Sequence, residues 1–246
     1  MKKKVVFATI ISLFFCFSFY MWGSIMNSDR SQTDDKFILL DFDGVIADSW
    51  EISFDILNSF SDEYGFKPMS SDAASKLTTK EILKEYEIGF LSQLSLVRKI
   101  KSSLVGKIDD IPLFKEFTEV CRLFSERENV HVAIVTSNSH ENVSHFLDRY
   151  EIKFIKHIHS NSSIFGKHKA IKSFLKEKGI KAENALYVGD EVRDIEGAKK
   201  AGVSSLSVSW GYDPLEKLQK SLPNFIATTP EQAGEAIEIF LSRSSL

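Results

Sequence analysis

Aspartates follow two apolar runs in this sequence, at positions that suit metal and phosphate chemistry. Asp41 and Asp43 come directly after the apolar residues 37–40, and Asp190 comes shortly after the apolar residues 185–188. Asp41 and Asp43 lie two residues apart, so on an extended chain their side chains point the same way. Clustered carboxylates repel one another unless a cation lies among them, and Mg²⁺ prefers oxygen ligands. The pattern predicts a Mg²⁺ site at Asp41, Asp43 and Asp190.

A second set of residues could hold a phosphate ester beside that cation. Thr136, Ser137 and Asn138 follow a β-branched apolar run, and Lys167 directly precedes a predicted helix. Hydroxyl groups, backbone amides and an ammonium group are suitable partners for phosphate oxygens. A carboxylate can attack phosphorus and form an acyl phosphate. A second carboxylate can then protonate the leaving group and activate water.

The elements that position these residues are indicated by short apolar runs alternating with helical patterns. The runs predicted as strands are 37–40, 130–135, 152–158, 185–188 and 204–208. Strands that alternate with helices favour right-handed crossovers and a parallel sheet covered on both faces. We therefore expect an α/β fold with a Rossmann-like, doubly wound parallel sheet. Ligands bind such sheets beyond the carboxyl ends of the strands, where the polar residues named above are expected.

The region between the first two predicted strands has a helical pattern throughout. Ile52, Ile56, Phe60 and Tyr64 recur every four residues, which places them on one helical stripe. We expect a small α-helical cap inserted after the first strand. Residues 1–26 are predicted to form a membrane anchor or signal segment, and residues 27–36 a linker. The catalytic core is predicted to comprise residues 37–49 and 109–246, and the cap residues 50–108.

The motifs resemble those of the haloacid dehalogenase (HAD) superfamily. Residues 41–49 resemble its first motif, 132–136 its second, 165–167 its third and 189–194 its fourth, in the same order along the chain. The helical region 50–108 lies where the phosphoglycolate-phosphatase-like branch of the superfamily carries its cap. The resemblance therefore implies a HAD-like hydrolase, a phosphoric monoester hydrolase that uses Mg²⁺.

The resemblance also implies a role for each matched carboxylate. Asp41 would be the nucleophile and a metal ligand. Asp43 would be the general acid and base, and its backbone carbonyl would bind the metal. Asp190 would bind the metal, and Asp194 would support the site.

The phosphate-binding residues implied by the resemblance are Thr136 and Lys167. The third motif departs from the usual pattern of this branch, because Lys167 is followed by His168 and Lys169 and not by proline. Lys169 is the alternative lysine. Lys167 is preferred because Lys169 lies within the predicted helix.

We expect a Mg²⁺-dependent phosphatase that hydrolyses a small phosphate monoester through an aspartyl-phosphate. One alternative is a phosphomutase of the same architecture, in which the acyl phosphate is returned to a sugar. The other is a non-catalytic binding module that retains the fold. No pattern in the cap identifies the substrate, and the oligomeric state is open.

The N-terminus carries the pattern of a membrane segment. Lys2, Lys3 and Lys4 precede the uncharged, almost wholly apolar residues 5–22. This run is longer than the apolar region of a signal peptide and lacks a small-x-small cleavage site, which favours a retained anchor over secretion after cleavage. The three lysines place the N-terminus in the cytoplasm and the catalytic domain outside it, in the periplasm if the source is bacterial.

Charge and cysteine usage exclude other classes of function. The net charge of −3 offers no general positive field for a nucleic-acid backbone, so no nucleic-acid partner is expected. The two cysteines, Cys16 and Cys121, form neither a disulfide framework nor a zinc-binding spacing.

Overall fold

A six-stranded parallel sheet forms the centre of the molecule. The computed structural model describes residues 35–160 and 166–243, and within them the strands lie in the order β3-β2-β1-β4-β5-β6. All neighbouring pairs in this sheet are parallel. The strands are β1 (Lys36–Leu40), β2 (Val130–Thr136), β3 (His157–Ser160), β4 (Ala185–Gly189), β5 (Ser204–Val208) and β6 (Phe225–Ala227).

Two strands differ from the sequence-based prediction. Strand β3 begins at His157, because Ile152 and Ile155 are buried in the preceding loop without joining the sheet. Burial of their side chains requires no backbone pairing, so the apolar pattern overstates the strand. The sequence analysis missed β6, whose three residues are too few to produce a periodic signal.

Within the described residues, helices connect these strands, and one helix follows the last strand. In chain order the described helices are α1 (Trp50–Ser59), α2 (Ser61–Tyr64), α3 (Ser71–Ala74), α4 (Thr79–Glu85), α5 (Phe90–Val105), α6 (Lys115–Ser125), α7 (His140–Arg149), α8 (Lys167–Lys178), α9 (Val192–Ala201), α10 (Leu215–Lys220) and α11 (Pro230–Leu241).

Alternate residues of β1 enter different cores. Ile38 and Leu40 pack with apolar residues of α6, α7 and α11, whereas Leu39 packs with residues of α8 and α9. All three side chains are fully buried, which contributes about 1.5–3 kcal/mol each relative to exposure. The two cores lie on opposite faces of the sheet. The predicted doubly wound, Rossmann-like parallel sheet is confirmed.

Helices α1 to α5 occupy the range predicted as the cap and share a core of their own. This core includes Phe54, Leu57, Ile82 and Leu96. The chain segments that enter and leave the helices lie side by side, since the Asp48 amide donates to the Pro112 carbonyl at 2.9 Å. Both connections therefore reach the sheet at one place, next to the residues that follow β1.

Part of the sequence-based prediction lies outside the described residues. This applies to the membrane segment at 1–26, to linker residues 27–34 and to Phe165 of the third motif. Within residues 35–160 and 166–243, no helix combines the length and apolar character that a membrane span requires.

Candidate active site

The predicted site residues meet at the centre of the sheet's carboxyl edge. Strands β1 and β4 are neighbours there, while the strands that follow each of them lie on opposite sides. Such a reversal of strand order opens a crevice in which α/β proteins bind ligands. Asp41 directly follows β1, Thr136 ends β2, and Asp190 directly follows β4. Buried parallel strands thus carry these residues to the same crevice.

Three carboxylates form a buried cluster at this point. Asp41, Asp190 and Asp194 each place an oxygen within 4.8 Å of the others, and each is at most 3% exposed. Burial, with the charges of Glu191, Asp194 and Asp41, raises the pKa of Asp190 well above its usual value. Burial likewise raises the pKa of Asp194 to about 6, although Lys167 opposes this. The cluster therefore holds more negative charge than its surroundings neutralise.

Lys167 is the first residue of α8 and reaches into this cluster. Its Nζ lies 2.5 Å from Asp41 Oδ2 and 3.2 Å from Asp194 Oδ1. Burial lowers the pKa of Lys167, but Asp194 and Asp41 more than compensate and raise it overall. The ammonium therefore stays charged. Lys169 also lies in α8 but is exposed.

The hydroxyl of Tyr187, a residue of β4, positions the Lys167 ammonium through a hydrogen bond. Its hydroxyl accepts a hydrogen bond from Lys167 Nζ at 2.8 Å and donates one to the Val135 carbonyl at 2.9 Å. The ring is 1% exposed. Sequence analysis missed this residue. The available signal was a single hydroxyl-bearing aromatic side chain within the otherwise apolar run before Gly189.

The two aspartates of the first motif differ in acidity. Burial would raise the pKa of Asp41, but Lys167 and Arg193 lower it below its usual value. Burial and the Asp41 carboxylate raise the pKa of Asp43. Asp41 is therefore the ionised member and Asp43 the one that retains a proton to higher pH. Two carboxyl groups separated in this way suit a nucleophile and an acid.

Hydrogen bonds hold the Asp43 carboxyl group in place. Ser49 Oγ donates to its Oδ1 at 2.9 Å, and Asn138 Nδ2 donates to its Oδ2 at 3.1 Å. Asn138 is fixed in turn, because its Oδ1 accepts from Asn142 Nδ2 at 3.1 Å. The Ser49 hydroxyl also contacts the Tyr212 hydroxyl at 2.9 Å. The Asp43 carboxyl group is thus oriented by residues that follow β1, β2 and β5.

Asp194 and Thr136 accept hydrogen bonds from the backbone of the site. Asp194 Oδ2 accepts from the amides of Asp190 and Glu191 at 3.2 and 3.1 Å, at the N-terminus of α9. Thr136 Oγ1 accepts from the Asn138 amide at 3.1 Å. Asp194 therefore fixes the loop that follows β4, and Thr136 fixes the loop that follows β2.

A cavity of about 670 Å³ lies between the core and the cap helices. On the core side it is lined by Asp43, Ser137, Asn138 and Lys167. Lys101 of α5 crosses from the cap side and donates from Nζ to the Ser137 carbonyl at 2.8 Å. Sequence analysis missed Lys101, whose only signal was a cation within an apolar helical stripe. The cavity gives a substrate access to the predicted site.

The structure brings together most of the predicted residues, with one difference in the acidic set. The carboxylates that cluster are Asp41, Asp190 and Asp194, whereas the Asp43 side chain is held by Ser49 and Asn138. If Asp43 binds a metal ion, its backbone carbonyl and not its side chain would therefore be the ligand. Glu191 forms a local salt bridge with Arg193.

Comparisons with known proteins agree on one family. The model of the family described as haloacid dehalogenase-like hydrolase matches residues 38–208. A phosphoglycolate phosphatase of Synechococcus elongatus is 24% identical over 204 residues, which cover 81% of this chain and 96% of that protein. Phosphoglycolate phosphatase 1 of Pseudomonas aeruginosa is 26% identical over 129 residues, covering 49% of this chain and 47% of that protein.

Solved structures share the fold. A haloacid dehalogenase-like family hydrolase from Streptococcus pneumoniae has a TM-score of 0.67 at 20% identity and covers 84% of this chain and 99% of its own. A Clostridium acetobutylicum protein described as a predicted phosphatase has a TM-score of 0.70 at 15% identity, with coverages of 83% and 99%. At these identities the likeness establishes the fold alone.

Proposed function

Because the chain belongs to the haloacid dehalogenase-like hydrolase family, we propose that it is a Mg²⁺-dependent phosphatase that hydrolyses a phosphate monoester through an aspartyl-phosphate on Asp41. The family match confirms the resemblance drawn from the motifs. The relatives named phosphoglycolate phosphatases support a phosphate ester as the substrate.

The placement of Asp41 and Asp43 carries the proposal: Lys167 Nζ lies 2.5 Å from Asp41, while Ser49 and Asn138 hold the Asp43 carboxyl group. An ionised Asp41 carboxylate attacks phosphorus, and the bond from phosphorus to the ester oxygen breaks. Asp43, which retains its proton to higher pH, gives that proton to the leaving oxygen. Asp43 then takes a proton from a water molecule as that water attacks the acyl phosphate. Inorganic phosphate leaves and Asp41 is restored.

Other residues in the crevice would hold the transferred phosphoryl group. The Lys167 ammonium, 2.5 Å from Asp41, neutralises the charge that the nucleophile and the phosphate share. Thr136 and Ser137 supply hydroxyl and backbone donors at the end of β2, whereas the predicted part of Asn138 is limited because its backbone amide already donates to Thr136 Oγ1. Asp194 keeps Lys167 and the start of α9 in position.

The acidic cluster fits a divalent cation such as Mg²⁺. Asp190 Oδ1 is buried and receives no hydrogen bond from any described residue. An unpaired carboxylate oxygen is costly to bury, and a metal ion would offset that cost. Asp41, Asp190 and the Asp43 backbone carbonyl would hold the ion, with Asp194 beside them. When bound, the cation would neutralise the carboxylates and polarise the phosphoryl group.

Phosphate release from a panel of phosphate esters, with and without Mg²⁺, tests the proposed activity. Asp41→Asn should abolish turnover, and Asp43→Asn should reduce it at least about 100-fold because acid–base assistance is lost. The exposed Asp148 on α7 provides a matched control, and Asp148→Asn should leave turnover unchanged.

The same assay separates the alternatives. Loss of substrate without an equal release of phosphate would favour a phosphomutase. If the folded protein turned over no ester and its melting temperature did not change with Mg²⁺, the protein would be a non-catalytic binding module and the proposal would be wrong.

We also propose that residues 1–26 hold the catalytic domain at a membrane, outside the cytoplasm. The lysines at positions 2–4 and the uncharged residues 5–22 support this. A reporter fused after residue 246 should be active only on the extracytoplasmic side. Reporter activity in the cytoplasm would overturn the orientation, and a mature protein that starts after residue 26 would indicate secretion after cleavage.

A further inference from the structure

The cap side of the cavity is mainly apolar. On α5, Leu94, Val97, Lys101 and Leu104 recur at spacings of three and four residues, so they share one face of the helix. All four line the cavity. Leu94 and Val97 are half-buried. A helix face directed only at solvent would instead carry polar, exposed side chains. This face of α5 therefore forms an apolar wall with one cation near its end.

The facing wall is apolar as well. Trp50, Phe54 and Leu57 of α1 line the cavity together with Ile82 and Leu83 of α4. Phe54, Leu57 and Ile82 are buried, and they belong to the core of the cap. On the cap side the cavity is thus lined mainly by aliphatic and aromatic side chains from three helices, with Ser53, Thr78, Thr79 and Gln93 as the uncharged polar residues among them.

None of the cations that line the cavity belongs to these apolar side chains, and Arg193, which also lines it, pairs with Glu191 on the core side. Lys101 points to the phosphate end, because its Nζ bonds the Ser137 carbonyl at 2.8 Å. Lys167 lies at the same end, next to Asp41. Lys80 and Lys200 also line the cavity, but both residues are exposed and hold their charges in solvent at the rim.

The size and lining of the cavity disagree with a small acidic leaving group. Its volume of about 670 Å³ falls within the roughly 300–1,000 Å³ of sites that hold drug-sized ligands. A leaving group of two carbons would leave most of the apolar wall uncovered. A carboxylate placed against the apolar face of α5 would lose hydration without gaining a charged partner, which is unfavourable.

We infer that the substrate is a phosphate monoester whose leaving alcohol carries an extended apolar chain. This rests on the proposed phosphatase function. The phosphate lies at Asp41 and Lys167, Lys101 balances its charge, and the chain runs along the apolar face of α5 between α1 and α4.

A series of straight-chain alkyl phosphates tests this, because ethyl, butyl, hexyl and octyl phosphate differ in apolar length and hardly at all in leaving-group chemistry. With Mg²⁺ and below the concentration at which micelles form, kcat/KM should rise about two- to fourfold for each added methylene. Phosphoglycolate, the small acidic comparison, should be a poorer substrate than octyl phosphate. A kcat/KM that is flat along the series, or highest for phosphoglycolate, would overturn the inference.

Val97→Asp places a charge in the apolar wall, and Ser102→Asp places the same charge on an exposed position of α5 that does not line the cavity. Val97→Asp should lower the octyl-to-ethyl ratio of kcat/KM by about tenfold or more, because the chain would then meet a carboxylate. Ser102→Asp should leave the ratio unchanged. Val97→Ser provides the milder change if the aspartate prevents folding. An unchanged ratio in the folded Val97 variants would refute the proposed path of the chain.

Binding separates this inference from the proposed hydrolysis. Alkyl phosphonates resemble the esters but cannot lose the alcohol. If octylphosphonate with Mg²⁺ raises the melting temperature of the unaltered protein more than ethylphosphonate does, while no ester is hydrolysed, the apolar pocket stands and the hydrolysis fails. Equal effects of both phosphonates would overturn the pocket.

Discussion

Gly44 is the position at which one added methyl group should do most damage to the site. Its φ is +74°, in the left-handed region that favours glycine. A Cβ there would lie 1.9 Å from Asp190 Oδ2 and 2.8 Å from the Tyr212 ring. Carbon and oxygen atoms normally approach to about 3.5 Å, so the Asp190 carboxylate would shift by roughly 1.5 Å.

Gly65 offers a matched control for Gly44→Ala. Its φ of +72° is nearly the same, but a Cβ there would have no atom within 4 Å. Gly65→Ala should therefore lower the free energy of unfolding by about 1 kcal/mol, the backbone cost alone, and leave activity intact. Gly44→Ala adds the displacement of Asp190 and should lower kcat/KM about 100-fold, since errors of about 1 Å in a reacting group have effects of that size.

The two variants are compared by urea unfolding and by steady-state phosphate release. The stabilising effect of Mg²⁺ on the melting temperature should also shrink in Gly44→Ala and persist in Gly65→Ala. If both variants lose the same stability and keep the same activity, the close approach of residue 44 to Asp190 has no functional consequence, and the reasoning is wrong.

Three further predictions follow from buried or bridging polar groups. Tyr187→Phe removes two buried hydrogen bonds, one of them to an ammonium. It should lower the free energy of unfolding by about 2–3 kcal/mol and should also lower kcat. An unchanged free energy of unfolding and an unchanged kcat would show that the hydroxyl is dispensable. Asp190→Asn removes a desolvated carboxylate and should raise the metal-free melting temperature while abolishing its response to Mg²⁺; a retained response would exclude Asp190 as a ligand. Lys217 contacts Glu81 of α4 at 2.5 Å and, together with hydrogen bonds from Thr78, lowers the pKa of Glu81 from 4.5 to about 2. The resulting stability is present above pH 4.5 and is lost as pH falls from 4.5 towards 2. Because both side chains are about one-third exposed, the loss should stay below about 1 kcal/mol. Lys217→Met should flatten the acid dependence of urea unfolding over this range, and an equally steep dependence would contradict the assignment.

Several features of the protein could be predicted from local sequence pattern. The short runs at 37–40 and 185–188 are apolar without interruption, which is typical of strands buried on both faces. A charged side chain is unfavourable within an apolar core, so Asp41 and Asp190, which follow these runs, were expected at the carboxyl edge of the sheet. The spacing of Asp41 and Asp43 and the motif resemblance then pointed to phosphoryl chemistry before any tertiary contact was known.

Other features depend on contacts between distant residues. Lys167 and Asp41 are 126 residues apart, and only the packing of α8 against β2 and α9 shows that the buried lysine is Lys167 and the exposed one Lys169. Lys169 lies within α8 as predicted, but the predicted start of the helix was wrong, because α8 begins at Lys167 and not after it.

By itself the sequence determined the fold class, the order of the motifs and the residue types of the site, because burial periodicity and short-range spacing are local properties of the chain. Only the tertiary structure decided that Asp194 joins the acidic cluster, that Tyr187 holds Lys167, and that Asp41 and Asp43 differ in pKa. Each of these depends on desolvation and on charges brought close by strands and helices far apart in the chain, and no local pattern specifies them.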